Sequence, residues 1–385
     1  MERAYEHGKE NSDRDKGSGG DWKDEGNHNI VWVIVLIARE RIHKILEEYE
    51  EPKIATICSH SALQIFHGAR REGIKTIGIS IPRKLEVYRS FRLAKPDELI
   101  CMKEFSDLPD VVGELVEKNA ILIPHGSLIE YVKNLEELEI PIFGNRRVLM
   151  WERSREKMFE WMREAKLRVP KIFKPEEIDR PCLVKFGGAK GGKGYIVVSS
   201  YEDFLAKTKG KSTEGAMIQE YIVGTRFYPH YFYTPLSKDA YPASKGSIEL
   251  LSIDRRIETN VEDIHRAMSA GVIVEPSFGV VGNAPVAVRE SLLPEMMEMG
   301  RRVVEAADRL MGGIPGPFCI EMICDEDFRF YVFEISARIV AGTNLFPDGS
   351  PYSVYLFDEP MSTGRRIARE IKNAMEMGKL KEIVY

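Results

Sequence analysis

A glycine-rich segment with interspersed lysines is the first part of the sequence whose residues could do chemistry. Lys185 ends a short apolar stretch, and the segment that follows contains Lys190 and Lys193. Its glycines are Gly187, Gly188, Gly191, Gly192 and Gly194. Glycine lets backbone N–H groups approach an anion closely, and lysine adds positive charge. The segment therefore favours a phosphate-binding loop, although a solvated hairpin tip can have the same composition.

The spacing around this loop excludes two common phosphate-binding motifs. The sequence contains no G-x-x-x-x-G-K-[ST] motif. A dinucleotide-binding fingerprint needs a helix after its glycines. Here the apolar run Tyr195–Val198 follows and predicts a strand. We therefore expect the loop to connect two strands.

Two glutamates stand inside apolar runs near the end of the sequence. Alternation and turn residues predict a β-hairpin formed by Gly316–Cys324 and Phe328–Arg338, which carry Glu321 and Glu334. Carboxylates within apolar strands are costly unless they are paired or bind a metal. Oxygen ligands beside a phosphate-binding loop favour Mg²⁺, with Mn²⁺ as the second choice. The alternative is a pair of rim carboxylates in salt bridges with arginines.

The first part of the chain alternates short apolar runs with helical periodicity. This pattern predicts a parallel α/β sheet. The predicted strands are 54–58, 74–79, 98–102, 120–124 and 140–143, and the predicted helices are 62–72 and 108–118.

Small polar residues and histidines follow two of these strands. Ser59-His60-Ser61 comes after the first strand, and His125-Gly126-Ser127 comes after strand 120–124. Ligands of parallel sheets bind beyond the carboxyl ends of the strands. A serine here could simply cap a helix. Two such turns at equivalent strand ends favour a shared anionic ligand.

The chain divides into three predicted parts. We expect a polar, disordered extension at residues 1–29, an α/β domain at 30–145 and a second domain at 146–385. A helix is expected to begin near Ile30, and a long helix is expected over 146–165. The region around 170–224 would form a subdomain that carries the glycine loop as a lid.

Composition narrows the class of protein. Of the 385 residues, 43% are apolar and 30% are charged, as in ordinary soluble globular proteins. The net charge of −5 gives no reason to expect nucleic acid as a partner. The apolar run Ile30–Ala38 is about half of a bilayer span, so no membrane association is expected. Five scattered cysteines indicate reduced thiols and a cytoplasmic location.

Taken in order, these motifs resemble the ATP-grasp fold. The motifs follow one another in the order that is typical of that superfamily. They are Lys185, the glycine loop, the segment Gln219–Gly224 and the hairpin pattern Glu321…Glu334-x-x-x-Arg338. An α/β domain before them also matches its layout. The resemblance implies the fold class α/β, with an ATP-grasp fold preceded by a parallel-sheet domain.

A narrower resemblance is to the formate-dependent 5-formaminoimidazole-4-carboxamide ribonucleotide (FAICAR) synthetases of archaeal-type purine biosynthesis. The similar segments are 59–61, 124–127, 143–147, 223–225, 230–235, 289–294 and 338–344. The resemblance implies that ATP, formate and the ribonucleotide AICAR give FAICAR, ADP and phosphate through formyl phosphate. No nucleophilic residue is required.

The same resemblance implies roles for individual residues. AICAR would contact His60, Ser127 and Asn260. Mg²⁺ would bind Glu321 and Glu334, and Lys185 and Arg338 would stabilise charge on the transferred phosphoryl group. ATP would contact Lys185, Gly187, Gly188, Gly191, Gly192, Gly194, Glu220, Tyr221, Ile222, Val223 and Arg226.

The chain departs from the ATP-grasp pattern at two positions. Arg226 stands where a carboxylate usually contacts the ribose, which leaves that contact open. Ser336 stands where many members have an asparagine near the second metal ligand. The alternatives are a carboxylate–amine ligase for another ribonucleotide and a non-catalytic nucleotide-binding paralogue. A homo-oligomer is expected.

Overall fold

The computed structural model describes residues 36–186, 195–260, 263–274 and 277–385. The extension predicted to be disordered, the predicted start of the first helix and the glycine loop at 187–194 lie outside the described residues.

Twelve α-helices are numbered in chain order within the described residues. They are α1 Arg39–Glu47, α2 Ala62–Glu72, α3 Leu85–Ser90, α4 Val112–Glu117, α5 Gly126–Tyr131, α6 Arg146–Arg153, α7 Arg155–Glu164, α8 Tyr201–Thr208, α9 Ile264–Ser269, α10 Leu293–Met311, α11 Thr363–Glu376 and α12 Leu380–Ile383.

Fourteen strands are numbered in the same way. They are β1 Lys53–Ile57, β2 Thr76–Ser80, β3 Glu98–Cys101, β4 Ala120–Leu122, β5 Ile172–Phe173, β6 Cys182–Lys185, β7 Ile196–Val198, β8 Met217–Glu220, β9 Thr225–Thr234, β10 Tyr241–Ala243, β11 Gly246–Glu258, β12 Val280–Pro285, β13 Gly316–Cys324 and β14 Phe330–Ser336.

The first sheet is parallel throughout and has the order β3-β2-β1-β4. Its central strand β1 is almost entirely buried, because helices such as α2 cover the apolar residues of its faces. The predicted parallel α/β fold is therefore confirmed. The turns after β1 and β4 meet at one edge of this sheet, since parallel strands place their carboxyl ends together.

Two further sheets are antiparallel. One has the order β5-β8-β6-β7, and the other has the order β10-β11-β9-β13-β14 with β12 paired to β11. Strands β6 and β7 pair through Cys182–Val198 and Val184–Ile196. The glycine loop therefore joins two adjacent antiparallel strands, as the sequence predicts.

The prediction of one long helix over 146–165 is wrong, because the segment forms the two helices α6 and α7. Ser154 between them has an extended backbone (φ −100°, ψ 115°), and its side chain accepts a hydrogen bond from the backbone N–H of Lys157. A serine oxygen competes with helical backbone bonds in this way and starts a new helix. Residues of both α6 and α7 line the cavity described below.

Three other predicted boundaries also differ. Segment 140–143 forms only isolated bridges, and the first helix of the described residues begins at Arg39 because Ala38 is extended. The apolar run Ile248–Ile253 predicts a strand, and β11 continues five residues beyond that run to Glu258. This last difference matters most, because it places charged side chains on a strand that borders the cavity.

Helices α2 and α11 approach each other closely through glycine. A Cβ atom at Gly68 would lie 2.2 Å from the backbone nitrogen of Arg365, and one at Gly364 would lie 2.3 Å from the backbone oxygen of Gln64. The Gln64 side chain also accepts a hydrogen bond from the Gly364 N–H and donates one to Thr343. The end of the chain is thereby fixed against the first sheet.

We predict that Gly68→Ala destabilises the protein by about 1–3 kcal/mol or more, because backbone atoms cannot yield to the new methyl group. The matched control is Gly113→Ala in α4, where a Cβ meets nothing within 4 Å. That control should be neutral or stabilising by about 0.5–1 kcal/mol. Chemical denaturation of both variants checks the prediction, and equal stabilities would contradict it.

Candidate active site

A cavity of about 580 Å³ is lined by residues of both antiparallel sheets and of the helices α6 and α7. Strand alternation explains the lining, because residues two apart on a strand face the same side. Leu183 and Lys185 on β6 line it together with Met217 and Gln219 on β8. The other sheet contributes Arg226, Tyr228, Arg256, Glu258, Val280, Glu321, Ile323, Phe333 and Glu334.

The two glutamates of the predicted hairpin face each other across β13 and β14, where Glu321 and Glu334 are register partners. Arg256 on β11 donates to both oxygens of Glu321, at 2.9 and 2.7 Å. The Ser336 hydroxyl donates to Oε1 of Glu321 at 3.1 Å. Ser336 therefore orients the first glutamate.

The second glutamate has a strongly perturbed acidity. Burial, together with the neighbouring Glu321 carboxylate, raises the pKa of Glu334 to about 7. Burial also lowers the pKa of Lys185, against the opposing effect of Glu334. A site that raises a carboxyl pKa is one where a bound cation would favour the charged form.

The donor set fits a divalent metal that shares its ligands with phosphate. Within the described ranges, no group of three or more His, Cys, Asp and Glu side chains is placed to hold a metal. Two carboxylates are what Mg²⁺ uses when substrate phosphates complete its coordination. Arg256 already occupies Glu321, so a metal must share that carboxylate or displace the guanidinium.

Lys185 sits at the start of the glycine loop in an aromatic setting. Its ammonium lies 5.7 Å from the ring centre of Tyr195 and 5.4 Å from that of Phe333. Arg155 on α7 donates to the backbone oxygens of Lys185 and Phe186, both at 2.9 Å. These bonds fix the chain where it enters the loop.

The cavity contains the carboxylate of Glu258, although position 226, where ATP-grasp proteins usually have a carboxylate, is an arginine. Arg226 forms an ion pair with Glu258, and both side chains line the cavity. Sequence reasoning missed Glu258 because it ended β11 too early. The local apolar pattern gave no signal for it, because the continued strand alternates through the charged residues Asp254, Arg256 and Glu258.

Residues 220–223 are predicted to contact the adenine. In the structure, groups of Glu220 and Tyr221 bond to other parts of the protein, and Val223 is exposed to solvent. The Glu220 carboxylate accepts from the backbone N–H of Lys171 and pairs with Arg180. The Tyr221 N–H donates to the oxygen of Pro181, and Val223 is 79% exposed. The cavity is instead lined at this strand by Met217 and Gln219. The adenine contacts of 220–223 stay predictions.

The two serine turns of the parallel sheet do come together. Ser127 donates a hydrogen bond to the Ser59 hydroxyl at 3.0 Å, and Lys84 donates to the same hydroxyl at 2.8 Å. Lys84 lies just beyond the end of β2, the strand next to β1. Sequence reasoning missed it, although the rule about carboxyl ends of strands applies equally there. Two hydroxyls and an ammonium now converge.

His60 is held beside this cluster in an unusual backbone conformation. Its φ is +51°, its Nδ1 lies 2.8 Å from the Ser61 hydroxyl, and its ring stacks on that of His125 at 5.3 Å. Nε2 of His125 lies 3.0 Å from the backbone oxygen of Ile57. Burial lowers the pKa of His125 to about 4 and the pKa of His60 well below its usual value. Both rings are therefore neutral at pH 7.

Arg338 lies between the serine turns and the cavity. A Cβ atom built at Gly126 would be 3.0 Å from Nε2 of His60 and 3.6 Å from Cζ of Arg338. Nη2 of Arg338 pairs with the Glu152 carboxylate at 2.9 Å, and Glu152 lines the cavity. The buried Nε of Arg338 has no hydrogen-bond partner among the described residues. The guanidinium is therefore held in place with one donor unused.

Asn260 lies two residues beyond β11. Its side-chain oxygen accepts a hydrogen bond from the backbone N–H of Ser277 at 2.9 Å. Residues 261 and 262, which follow it, lie outside the described part of the chain. The predicted contact of Asn260 with AICAR stays a prediction.

Solved structures with this fold are ATP-grasp enzymes. The chain is similar to an N5-carboxyaminoimidazole ribonucleotide synthetase in complex with ADP, at 15% identity, TM-score 0.59 and coverage of 84% of this chain and 77% of that one. It is also similar to a crystal structure of an IMP biosynthesis protein PurP from Thermococcus kodakaraensis, at 28% identity and TM-score 0.69 over 86% of this chain and 100% of that one. The fold and site define an ATP-grasp ligase.

Sequence relatives narrow the class to one family. A FAICAR synthetase of Methanococcoides burtonii is 47% identical over 90% of this chain and 99% of that protein. One of Pyrococcus horikoshii is 47% identical over 86% and 99%. Residues 54–173 match a family of unknown function, DUF1246, and 203–385 match a domain of unknown function, DUF1297. The chain belongs to the FAICAR synthetase family, an ATP- and formate-dependent ligase family of purine biosynthesis that uses a divalent metal.

None of the helices in the described ranges is both long enough and apolar enough to cross a membrane.

We predict that Glu152→Gln lowers kcat about tenfold to a hundredfold. The Glu152 carboxylate accepts from the Ala337 N–H at 2.8 Å and pairs with Arg338, so an amide would leave the guanidinium poorly oriented. The KM for ATP should change little. Steady-state kinetics check this, with Glu160→Gln on the exposed surface of α7 as the control. A normal kcat in the first variant would contradict it.

Proposed function

We propose that the residues described above divide the FAICAR synthetase reaction between a nucleotide end and an acceptor end, joined by Arg338. The supporting observation is that one guanidinium pairs with Glu152, which lines the cavity that holds Glu321 and Glu334, and also lies beside the turn that holds His60. Mg²⁺ is the proposed metal, with Mn²⁺ as a substitute.

At the nucleotide end, ATP occupies the cavity. Lys185 and the loop glycines at 187–194 hold its phosphates, and Glu258, kept in place by Arg226, takes the ribose contact. Glu321 and Glu334 would hold the metal. When bound, that metal supplies positive charge that offsets the negative charge of the phosphate oxygens.

At the acceptor end, the phosphate of AICAR is bound by Lys84, Ser59 and Ser127. Lys84 and Ser127 both donate to the Ser59 hydroxyl, and an ammonium with two hydroxyls is a suitable donor set for a phosphate. Neutral His60 contributes a hydrogen bond rather than charge, and Asn260 is proposed as a further AICAR contact.

The chemistry follows from these positions. A formate oxygen attacks the γ-phosphorus of ATP, which gives formyl phosphate and ADP. The AICAR amine then attacks the formyl carbon, phosphate leaves with the C–O bond electrons, and the amine loses a proton. Lys185 and Arg338 stabilise charge on the transferred phosphoryl group. The residues need only orient the reactants and exclude water.

A coupled assay for ADP tests the function. We predict ADP release only when AICAR, formate, ATP and Mg²⁺ are all present. Glu334→Ala should lower turnover at least about a hundredfold, because a carboxylate that holds the metal is lost. Circular dichroism should show an unchanged fold. ADP release that depends on another acid or amine would instead indicate a different ligase, and no release under any combination would indicate a non-catalytic paralogue.

The acceptor end is tested through Lys84. We predict that Lys84→Gln raises the KM for AICAR about tenfold, because a charge-assisted hydrogen bond to phosphate is lost. The KM for ATP should stay within about twofold. Lys103→Gln, which changes an exposed lysine, is the matched control. A larger effect on ATP than on AICAR would move Lys84 out of the acceptor site.

The cytoplasmic location, the homo-oligomeric state and the absence of nucleic-acid partners are part of the proposal on the sequence grounds given above.

A further inference from the structure

A buried histidine and a buried aspartate form a pair on the sheet that lines the cavity. Nε2 of His230 on β9 lies 2.7 Å from Oδ1 of Asp254 on β11, and the two residues are 2% and 1% exposed. Because an ionised carboxylate only accepts, Nε2 is the donor. Nδ1 of His230 is then an acceptor, and it has no hydrogen-bond partner among the described residues. Such a buried group is costly, which indicates that a ligand supplies its partner.

The aspartate of this pair is fixed by other parts of the chain. Its Oδ2 accepts a hydrogen bond from Nδ2 of Asn283 at 2.6 Å. A Cβ atom at Gly342 would lie 2.2 Å from Oδ1, so the carboxylate packs directly on the backbone of the turn Ala341–Leu345. In the same turn, Asn344 donates to the backbone oxygen of His60 at 3.2 Å. The pair therefore lies beside the segment that contacts the His60 turn.

The histidine lies on the cavity side of the sheet, in the direction of Arg338. Side chains two apart on a strand share a face, and Tyr228, two residues before His230, lines the cavity. Two residues beyond His230, Phe232 belongs to the same buried apolar cluster as Ile339, which directly follows Arg338 in the chain. The imidazole is thus about 7 Å along the strand from the cavity lining, on the side of the acceptor end.

The proposed reaction releases a proton that needs an acceptor. When the AICAR amine attacks the formyl carbon, its nitrogen becomes positively charged and must lose a proton. His60 is a poor acceptor, because burial, His125 and the nearby guanidiniums lower its pKa well below the usual value. Glu334 would be occupied by the metal. His230 differs from both, because its neighbour is the carboxylate of Asp254, which stabilises an imidazolium.

We propose that His230 is the general base of the second chemical step and that Asp254 is its positioning residue. Nδ1 takes the proton of the AICAR amine, directly or through one water, as the nitrogen–carbon bond forms. The bond between the formyl carbon and the phosphate oxygen then breaks, and its electron pair stays with the phosphate. The imidazolium, stabilised by Asp254, returns the proton to water afterwards. This inference rests on the proposed function, because it needs AICAR at the acceptor end.

The test separates the two steps by rapid quench in a single turnover, with the protein in excess over ATP. His230→Gln keeps an amide nitrogen that can donate to Asp254 but has no basic nitrogen. It should form ADP within about threefold of the wild-type rate, because formate attack needs no base, and should form FAICAR about a hundredfold more slowly. Equal slowing of both steps, or an unchanged rate of FAICAR formation, would overturn the proposal.

Asp254→Asn is the second variant. An asparagine amide can donate to Nε2, which moves the imidazole proton to Nδ1 and removes the acceptor. FAICAR formation should again slow by about tenfold to a hundredfold while ADP formation is kept. The control is His67→Gln, which changes a histidine of α2 that is not part of the cavity lining and should leave both rates unchanged. Normal FAICAR formation in Asp254→Asn would contradict the role of the pair.

A measurement on the wild-type protein keeps the proposal testable if neither variant folds. Single turnover in D₂O should slow FAICAR formation about twofold or more and leave ADP formation nearly unchanged, because the proton moves only in the second step. An equal effect on both steps would speak against a general base. A wild-type protein that forms no FAICAR contradicts the proposed function itself, whereas normal FAICAR formation in both wild type and His230→Gln contradicts only this inference.

Discussion

The buried pair of carboxylates on β13 and β14 is the constraint on which the rest of the site depends. Glu321 and Glu334 face each other at one register position, so each raises the cost of the other's charge. The fold offsets this cost with cations from two directions. Arg256 comes from β11 in the same sheet, and Lys185 comes from the sheet that carries the glycine loop. The charge cluster therefore ties the loop-bearing sheet to the hairpin.

This arrangement also bears on the proposed binding of a metal cation. Arg256 engages Glu321 through both carboxylate oxygens, although burial alone would lower the pKa of the arginine; its partner raises it overall. Glu334, in contrast, has a pKa near 7. Glu321 is thus held by a guanidinium through both oxygens, whereas burial and its neighbour favour the protonated form of Glu334. An incoming cation gains more from the second, because it removes an electrostatic penalty there.

The sequence predicted those features that depend on local pattern. The bounds of α2, the hairpin that places Glu321 opposite Glu334 and the two strands around the glycine loop all follow from periodicity and turn residues. The end of β11 could not be predicted in this way. Asp254 and Arg256 look like loop residues in the sequence, yet they are satisfied by distant partners, His230 and Glu321.

The same reason explains the missed site residues. Three site residues were missed because their partners lie at least 25 positions away along the chain. These residues are Glu152, Lys84 and Glu258. No window of the sequence contains such a pair, so periodicity cannot reveal it. The break at Ser154 is different, because there a short-range serine cap overrides an apolar pattern that continues through it. The apolar pattern favours one continuous helix, but the Ser154 hydroxyl caps the start of α7 and so divides the segment into two helices.

The break at Ser154 bears on the proposed role of Arg338. It ends α6 at Arg153, one residue after Glu152, and so lets Glu152 reach Arg338 while α7 supplies Arg155 to the entry of the glycine loop. In the proposed division of the reaction, the acyl phosphate forms at the nucleotide end and reacts at the acceptor end, and a cation between the two ends would stabilise its charge. Arg338 meets this need because its charge cannot be lost by deprotonation and its Nε still has a donor to give. A lysine there would lack the fixed fork that can hold Glu152 and an anion at the same time.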